Sequence, residues 1–309
     1  MSSAFGQYLK LSIFGQSHGE ALGVTLDGFP AGMTIDMEQL LAEMARRAPG
    51  QSLMTTARKE PDAPEFLSGV LNGRTTGQPI CAIIRNTNQR SMDYGDGVDL
   101  VRPGHADYTG HVRYFGFEDW RGGGSFSGRL TAGLNQQMEE TVLAARDKQD
   151  SVGGVLECMV TGLPAGLGAP FFDSVESVLS HLLFAIPAVK GVEFGEGFGF
   201  ASMRGSQAND PFRMENGEVT TESNHSGGIN GGITNGMPVI FRCAVRPTPS
   251  ISQKQRTVSL RTGENADLEI HGRHDPCILP RAVPVVEAMA AIGMMELWKE
   301  RAACLDGSK

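Results

Sequence analysis
The chain is short of cysteine, of aromatic residues and of positive charge. Its five cysteines, Cys81, Cys158, Cys243, Cys277 and Cys304, stand far apart with no CxxC pair among 309 residues. That spacing excludes a disulfide framework and a cysteine-based structural zinc site, and it fits reduced thiols of the cytosol. Lysine and arginine number 27 against 35 acidic residues, a net charge of −8. An acidic chain is a poor general binder of nucleic acid or membrane, so neither is expected as a partner. No run approaches the roughly 20 apolar residues of a membrane span. The first residues, MSSAFGQYLKLSIFG, lack the basic stretch and apolar core of a signal peptide, so the expected location is cytoplasmic. No repeat, low-complexity tract or linker is visible, and the expectation is a single domain over residues 1–309.

Glycine, by contrast, is abundant: 40 residues, with 16 prolines. The densest stretch runs from Arg102 to Arg129. It holds His105, His111, Asp107, Asp119, the arginines Arg102, Arg113, Arg121 and Arg129, and a triple glycine at 122–124. Ser125 and Ser127 follow the glycines. Glycines, then hydroxyls, then a cation suit an anion met by backbone N–H groups and a guanidinium. A solvated glycine loop is the plain alternative.

Coarse periodicity orders the rest. Residues 9–15 read as a strand, and GQSHGEALG places Ser17 and His18 on the glycine-flanked turn after it. Residues 24–33 read as a second strand with a Pro/Gly turn. Ile35–Arg47 reads as a helix with Asp36 as its cap and Arg46 and Arg47 at its end. The next segment, with Arg58 and Lys59, reads as a polar loop carrying positive charge over an anion. Strands are expected at 66–70, 78–85, 155–161 and within GMPVIFRCAV, and helices at 136–146 and 175–184. A turn and a glycine-broken strand are expected at 186–200, and a polar loop at 203–219. A last, buried helix is expected from about Val283 to Ala303, with Pro284 in its first turn. Glycines crowd again between Ser223 and Gly236, followed by RPTPSI, where Arg246 precedes Thr248 and Ser250. Neither glycine cluster has the spacing of a dinucleotide fingerprint or a Walker A loop. No metal-ligand cluster and no activated nucleophile is visible, which disfavours a phosphatase, and no metal is expected. His18, His105 and His274, Asp275 and the loop arginines together suggest proton handling on a small polyanion.

At these motifs the chain resembles the chorismate synthase family. GQSHGEALGVTLDGFPAG, RPGHADYTGHVRYFGFEDWRGGG, SNHSGGINGGITNGMPVIFRCAVRPTPSI and GRHDPCILPRAVPVVEAM are similar to its signatures, and the likeness spans nearly the whole chain. The resemblance implies an α+β fold, a β-α-β sandwich with a helical layer between two antiparallel sheets, assembled as a homotetramer. It implies a lyase of the shikimate pathway and aromatic amino acid biosynthesis. The reaction is a 1,4-anti elimination of phosphate from 5-enolpyruvylshikimate 3-phosphate, giving chorismate. The family requires reduced FMN without net redox change, and NADPH only where flavin reduction is built in. His18 matches a histidine thought to protonate the phosphate region, His105 one near the reduced flavin, and Asp275 an acid that helps flavin N5 take the substrate proton. Flavin contacts carried over by motif are Ser125, Phe126, Ser127, Pro187, Ala188, Gly231, Arg246, Pro247, Thr248, Pro249, Ser250 and Arg273. Substrate contacts are Ser17, Arg46, Arg47 and Arg129. The chain departs from the family at SFSGRLT, where members carry RSSARET, and at Ala48 and Leu53, where many carry arginine. It is also short between Leu134 and the DSVGG motif at 150–154. A deletion there, or a segment outside this sequence, would each account for it.

Overall fold
The structure, a computed structural model, describes residues 4–15, 19–48, 62–86, 136–270 and 274–306. It mixes helices with antiparallel sheets, an α+β fold, and its backbone packing divides into two compact units that interleave along the chain. The first holds residues 1–5, 10–153 and 247–284, and the second holds 6–9, 154–246 and 285–309.

The first unit is built on a five-stranded antiparallel sheet. Its strands are β1 (Ala4–Phe5), β2 (Lys10–Gly15), β3 (Ala21–Asp27), β4 (Glu65–Ser68) and, after the small hairpin β5 (Val70–Leu71) and β6 (Arg74–Thr75), β7 (Ile80–Arg85). The order across the sheet is β1-β2-β3-β7-β4. Helix α1 (Met37–Arg47) starts where expected: the Asp36 side chain accepts from Gln39 N at 2.9 Å, filling one of the orphan donors of a first turn. None of its residues is buried within the chain, and Leu41 is 45 % exposed. Caps and end charges therefore define this helix more than packing does. Helix α2 (Gln136–Asp147) follows.

The second unit has a three-stranded sheet of β8 (Gly154–Val160), β9 (Val189–Phe194) and β14 (Val239–Val245), with β14 central. Helix α3 (Val175–Ala185) lies between the first two in sequence, capped by Ser174, whose hydroxyl accepts from Ser177 N at 3.1 Å. Two hairpins, β10 (Phe212–Glu215) with β11 (Glu218–Thr221) and β12 (Ile229–Asn230) with β13 (Ile233–Thr234), precede β14. Strand β14 alternates strictly: Val239, Phe241, Cys243 and Val245 are buried. They share the core with Leu167, Val175, Leu179, Leu183 and Leu297, each burial stabilising by about 1.5–3 kcal/mol. The chain then returns to the first unit through β15 (Gln255–Val258) and β16 (Asn265–Leu268).

Helix α4 (Leu279–Asp306) closes the chain. It begins four residues before the expected start, and Pro284 lies inside it rather than in its first turn. Pro280 occupies the first turn instead, where a missing N–H is harmless, so the helix nucleates earlier than Pro284 suggests. Residues 203–219, expected as loop, contain β10 and the first half of β11. Within the second unit, Gly293 of α4 meets α3 so closely that a Cβ there would lie 2.8 Å from Leu179 Cδ2.

Glu296 of α4 gathers the backbone of residues 7–9. Its Oε1 accepts from Gln7 N at 2.6 Å and Tyr8 N at 3.1 Å, and its Oε2 accepts from Leu9 N at 2.7 Å. Asp210 gathers a second loop, accepting from Ser223 Oγ at 2.7 Å, His225 N at 2.7 Å and Ser226 N at 2.8 Å. Burial pushes the Asp210 carboxyl up, but the hydrogen bonds from Ser226, Ser223 and His225 outweigh it and the net direction is down.

Two outcomes are expected. Glu296→Gln replaces one acceptor oxygen by a donor facing buried N–H groups, and chemical denaturation should show a loss of about 1–3 kcal/mol. Asp210 has its folded value below its unfolded one, so its contribution is present above the unfolded value of about 3.9 and fades as pH falls through the folded value. Asp210→Asn should lower the melting temperature at pH 7, with the deficit from wild type closing in acid.

Candidate functional site
The described residues of the expected site fall in both units. Ser17, His18, His105, Ser125, Phe126, Ser127, Arg129 and Arg273 lie outside the described residues, as do Leu53 and the charged loop with Arg58 and Lys59.

In the first unit, Arg46 and Arg47 stand on the last turn of α1. Arg46 pairs with Glu43, one turn earlier. Arg47 is almost out of water, with an 11 % exposed side chain, and meets Asp62 at 2.7 Å. Asp62 is itself buried and holds a left-handed backbone, φ 44°. Asp and Asn visit that region more readily than most residues, yet a buried one there is held by its surroundings. Sequence reading missed Asp62. Its signal was an arginine in an apolar-flanked helix end that needs a carboxylate once buried.

Further along, Ser151 Oγ donates to the Thr248 carbonyl at 2.7 Å, and Gln255 Nε2 donates to the Pro249 carbonyl at 3.4 Å. These bonds fix the course of Pro247–Ser250, and Ser250 is buried. The Thr248 hydroxyl is buried with no hydrogen-bond partner among the described residues. Val152 N donates to the Pro276 carbonyl at 2.9 Å, which anchors the turn that carries Asp275. The Asp275 carboxylate accepts from Arg281 Nη1.

In the second unit, Pro187 is exposed and Ala188 adopts φ 75°, a left-handed backbone unusual for alanine. The Ala188 carbonyl accepts from Arg246 N at 2.9 Å, so these two expected contact residues are joined directly. The Arg246 side-chain Nε is buried without a hydrogen-bond partner among the described residues. Gly231 and Gly232, with φ of 61° and 84°, form the two-residue turn between β12 and β13. A Cβ on Gly231 would meet nothing within 4 Å. The neighbouring glycines differ: a Cβ on Gly228 would lie 2.4 Å from the Pro238 carbonyl oxygen, so that glycine serves backbone packing. His225 Nδ1 lies 3.2 Å from Glu196 Oε1.

A buried guanidinium nitrogen in the second unit and a buried hydroxyl in the first, each without a hydrogen-bond partner among the described residues, are groups that a polar ligand would satisfy. Among the described residues no group of three or more His, Cys, Asp or Glu side chains could hold a metal ion. Among them, too, no helix is long and apolar enough to cross a membrane.

The family model described as chorismate synthase matches residues 9–135 and 133–298, two stretches that meet at 133–135. A chorismate synthase of Dehalococcoides mccartyi is 43 % identical over 351 aligned positions, covering 96 % of each chain. One from Chitinophaga pinensis is 44 % identical over 321 positions, covering 95 % of this chain and 96 % of its own. One from Thermococcus kodakarensis is 42 % identical over 336 positions, covering 93 % and 94 %. All three alignments hold more positions than this chain has residues. Among solved structures, a crystal structure of chorismate synthase superposes with a TM-score of 0.69 at 25 % identity, covering 96 % of this chain and 93 % of that one.

The Arg47–Asp62 pair yields a stability cycle. Arg47→Met leaves a buried carboxylate without its cation and is expected to cost about 3–5 kcal/mol, with Asp62→Asn similar. The double variant should recover much of the loss in urea unfolding, whereas additive losses would show that the two charges do not interact.

Proposed function
This chain belongs to the chorismate synthase family, and we propose that it is an active, flavin-dependent member. Its reaction in this reading is the 1,4-anti elimination of phosphate from 5-enolpyruvylshikimate 3-phosphate. The ester C–O bond breaks, a ring proton leaves, a second ring double bond forms, and the products are chorismate and phosphate. The observation that carries the reading is 43 % identity across 96 % of both chains, with His18, His105 and Asp275 at the motif positions.

The chemistry that reduced FMN would supply there is transient electron density for the elimination, with no net redox change. Pro187, Ala188, Gly231, Arg246, Thr248 and Ser250 would hold it, together with Ser125, Phe126, Ser127, Pro247, Pro249 and Arg273. The unpartnered Arg246 Nε and Thr248 Oγ1 support this assignment. Arg46, Arg47 and Arg129, with Ser17, bind the trianionic substrate, because guanidinium forks match phosphate and carboxylate. His18 delivers a proton to the departing phosphate, His105 stands by the cofactor, and Asp275 handles the proton lost from the ring. In the same reading the family's β-α-β sandwich forms a homotetramer in the cytoplasm, and NADPH serves only if flavin reduction is intrinsic.

The test is an anaerobic assay with 5-enolpyruvylshikimate 3-phosphate and chemically reduced FMN, following chorismate absorbance and phosphate release. Turnover is expected, with His18→Ala and Asp275→Asn each lowering kcat by about 10²-fold or more. Flavin binding without turnover in the unsubstituted protein would instead identify a non-catalytic relative, the reading favoured by Ser125 and Phe126 in the flavin motif.

A further inference from the structure
Arg281 is among the most deeply buried charged residues described, with 6 % of its side chain exposed. It stands in the first turn of α4, where its backbone N donates to the Ile278 carbonyl at 3.0 Å. From there its Nη1 donates to Asp275 Oδ2, and the Asp275 side chain is only 10 % exposed. The turn between them is anchored from its other side by the bond from Val152 N to the Pro276 carbonyl. The helix start thus fixes the guanidinium and the turn fixes the aspartate Cα. The remaining freedom, rotation of the carboxylate, is restrained by a charge-assisted hydrogen bond.

A purely structural pair would serve stability alone, and such a pair is often replaceable by apolar residues. Here the arginine is spent on the one acid that the chemistry needs. We infer that Arg281 is a positioning residue for the elimination: it holds the Asp275 carboxylate in the orientation from which Asp275 handles the ring proton. This rests on the proposed function, in which Asp275 carries that role. A misplacement of about 1 Å at such a group costs on the order of 10²-fold in rate. Substrate binding, which falls to other arginines, should be untouched.

The experiment compares wild type, Asp275→Asn, Arg281→Met, Arg281→Lys and the Asp275→Asn/Arg281→Met double variant. It reads kcat, KM, melting temperature and the difference spectrum of reduced FMN on binding. Arg281→Met is expected to lower kcat about 10²-fold with KM unchanged. Arg281→Lys should recover part of the rate, because an ammonium restores charge but not the fork. The double variant should be no slower than Asp275→Asn, and the flavin difference spectra of Arg281→Met and Asp275→Asn should change alike. Should Arg281→Met fail to fold, Arg281→Lys carries the test through a reduced kcat at an unchanged melting temperature. Wild-type kcat in the folded Arg281 variants, or losses that multiply in the double variant, would overturn the positioning role while leaving the elimination intact. A wild type that binds reduced FMN but turns over nothing refutes the elimination, and the positioning role with it.

Discussion
A guanidinium taken out of water must meet a carboxylate, and much of this protein's local architecture answers to that requirement. In the first unit Arg47 meets Asp62 and Arg281 meets Asp275, all four side chains nearly buried. In the second unit Arg242 of β14 lies 2.9 Å from Glu193 of β9 and also donates to the Gly195 carbonyl at 3.0 Å. Each pair ties the end of one element to a turn or a neighbouring strand. A chain with a net charge of −8 supplies acids freely, so the cations decide where the pairs form. An unpaired buried ion would cost several kcal/mol, comparable with the whole stability of many domains. Arg46 and Arg47, two of the arginines that sequence reading assigns to substrate, are therefore already engaged within the protein.

What could be read from the sequence followed how local its cause was. Helix α1 and its Asp36 cap depend on residues within one turn of each other, and they were legible. So were β7 in the first unit and α3 and β14 in the second, whose apolar patterns reflect burial within their own unit. The hairpins β5–β6 and β10–β11 were not recognised, although Asn72-Gly73 and Asn216-Gly217 carry the positive φ values of a two-residue turn. The reason is exposure: every residue of β10 faces solvent, so no alternation marks it as a strand. Hairpin β12–β13 has only two residues per strand, too few for any period. The expected start of α4 falls late because Pro284 suits a first turn, whereas Pro280 occupies that turn.

The expected site divides along the same line. Motifs such as RPTPSI and GRHDP are contiguous in sequence and could be recognised. The partnerships of Asp62 with Arg47 and of Arg281 with Asp275 could not, because the pairing of a buried charge is decided by which elements converge. The glycine cluster at 227–236 shows how one signal covers two causes. Gly228 is glycine because the Pro238 carbonyl comes too close for any side chain, whereas Gly231 borders open space at a turn. Composition alone gives both the same appearance.

The hold of Glu296 on residues 7–9 also bears on synthesis. The carboxylate and the amides it accepts from are separated by as many as 289 positions in the chain. At about 5–20 residues per second, a ribosome makes the amides roughly 15–60 seconds before it makes their acceptor. Throughout that interval the segment's N–H groups have no Glu296 to bond, and the second unit lacks the helix that completes its core. A helix made late therefore secures a segment made well before it.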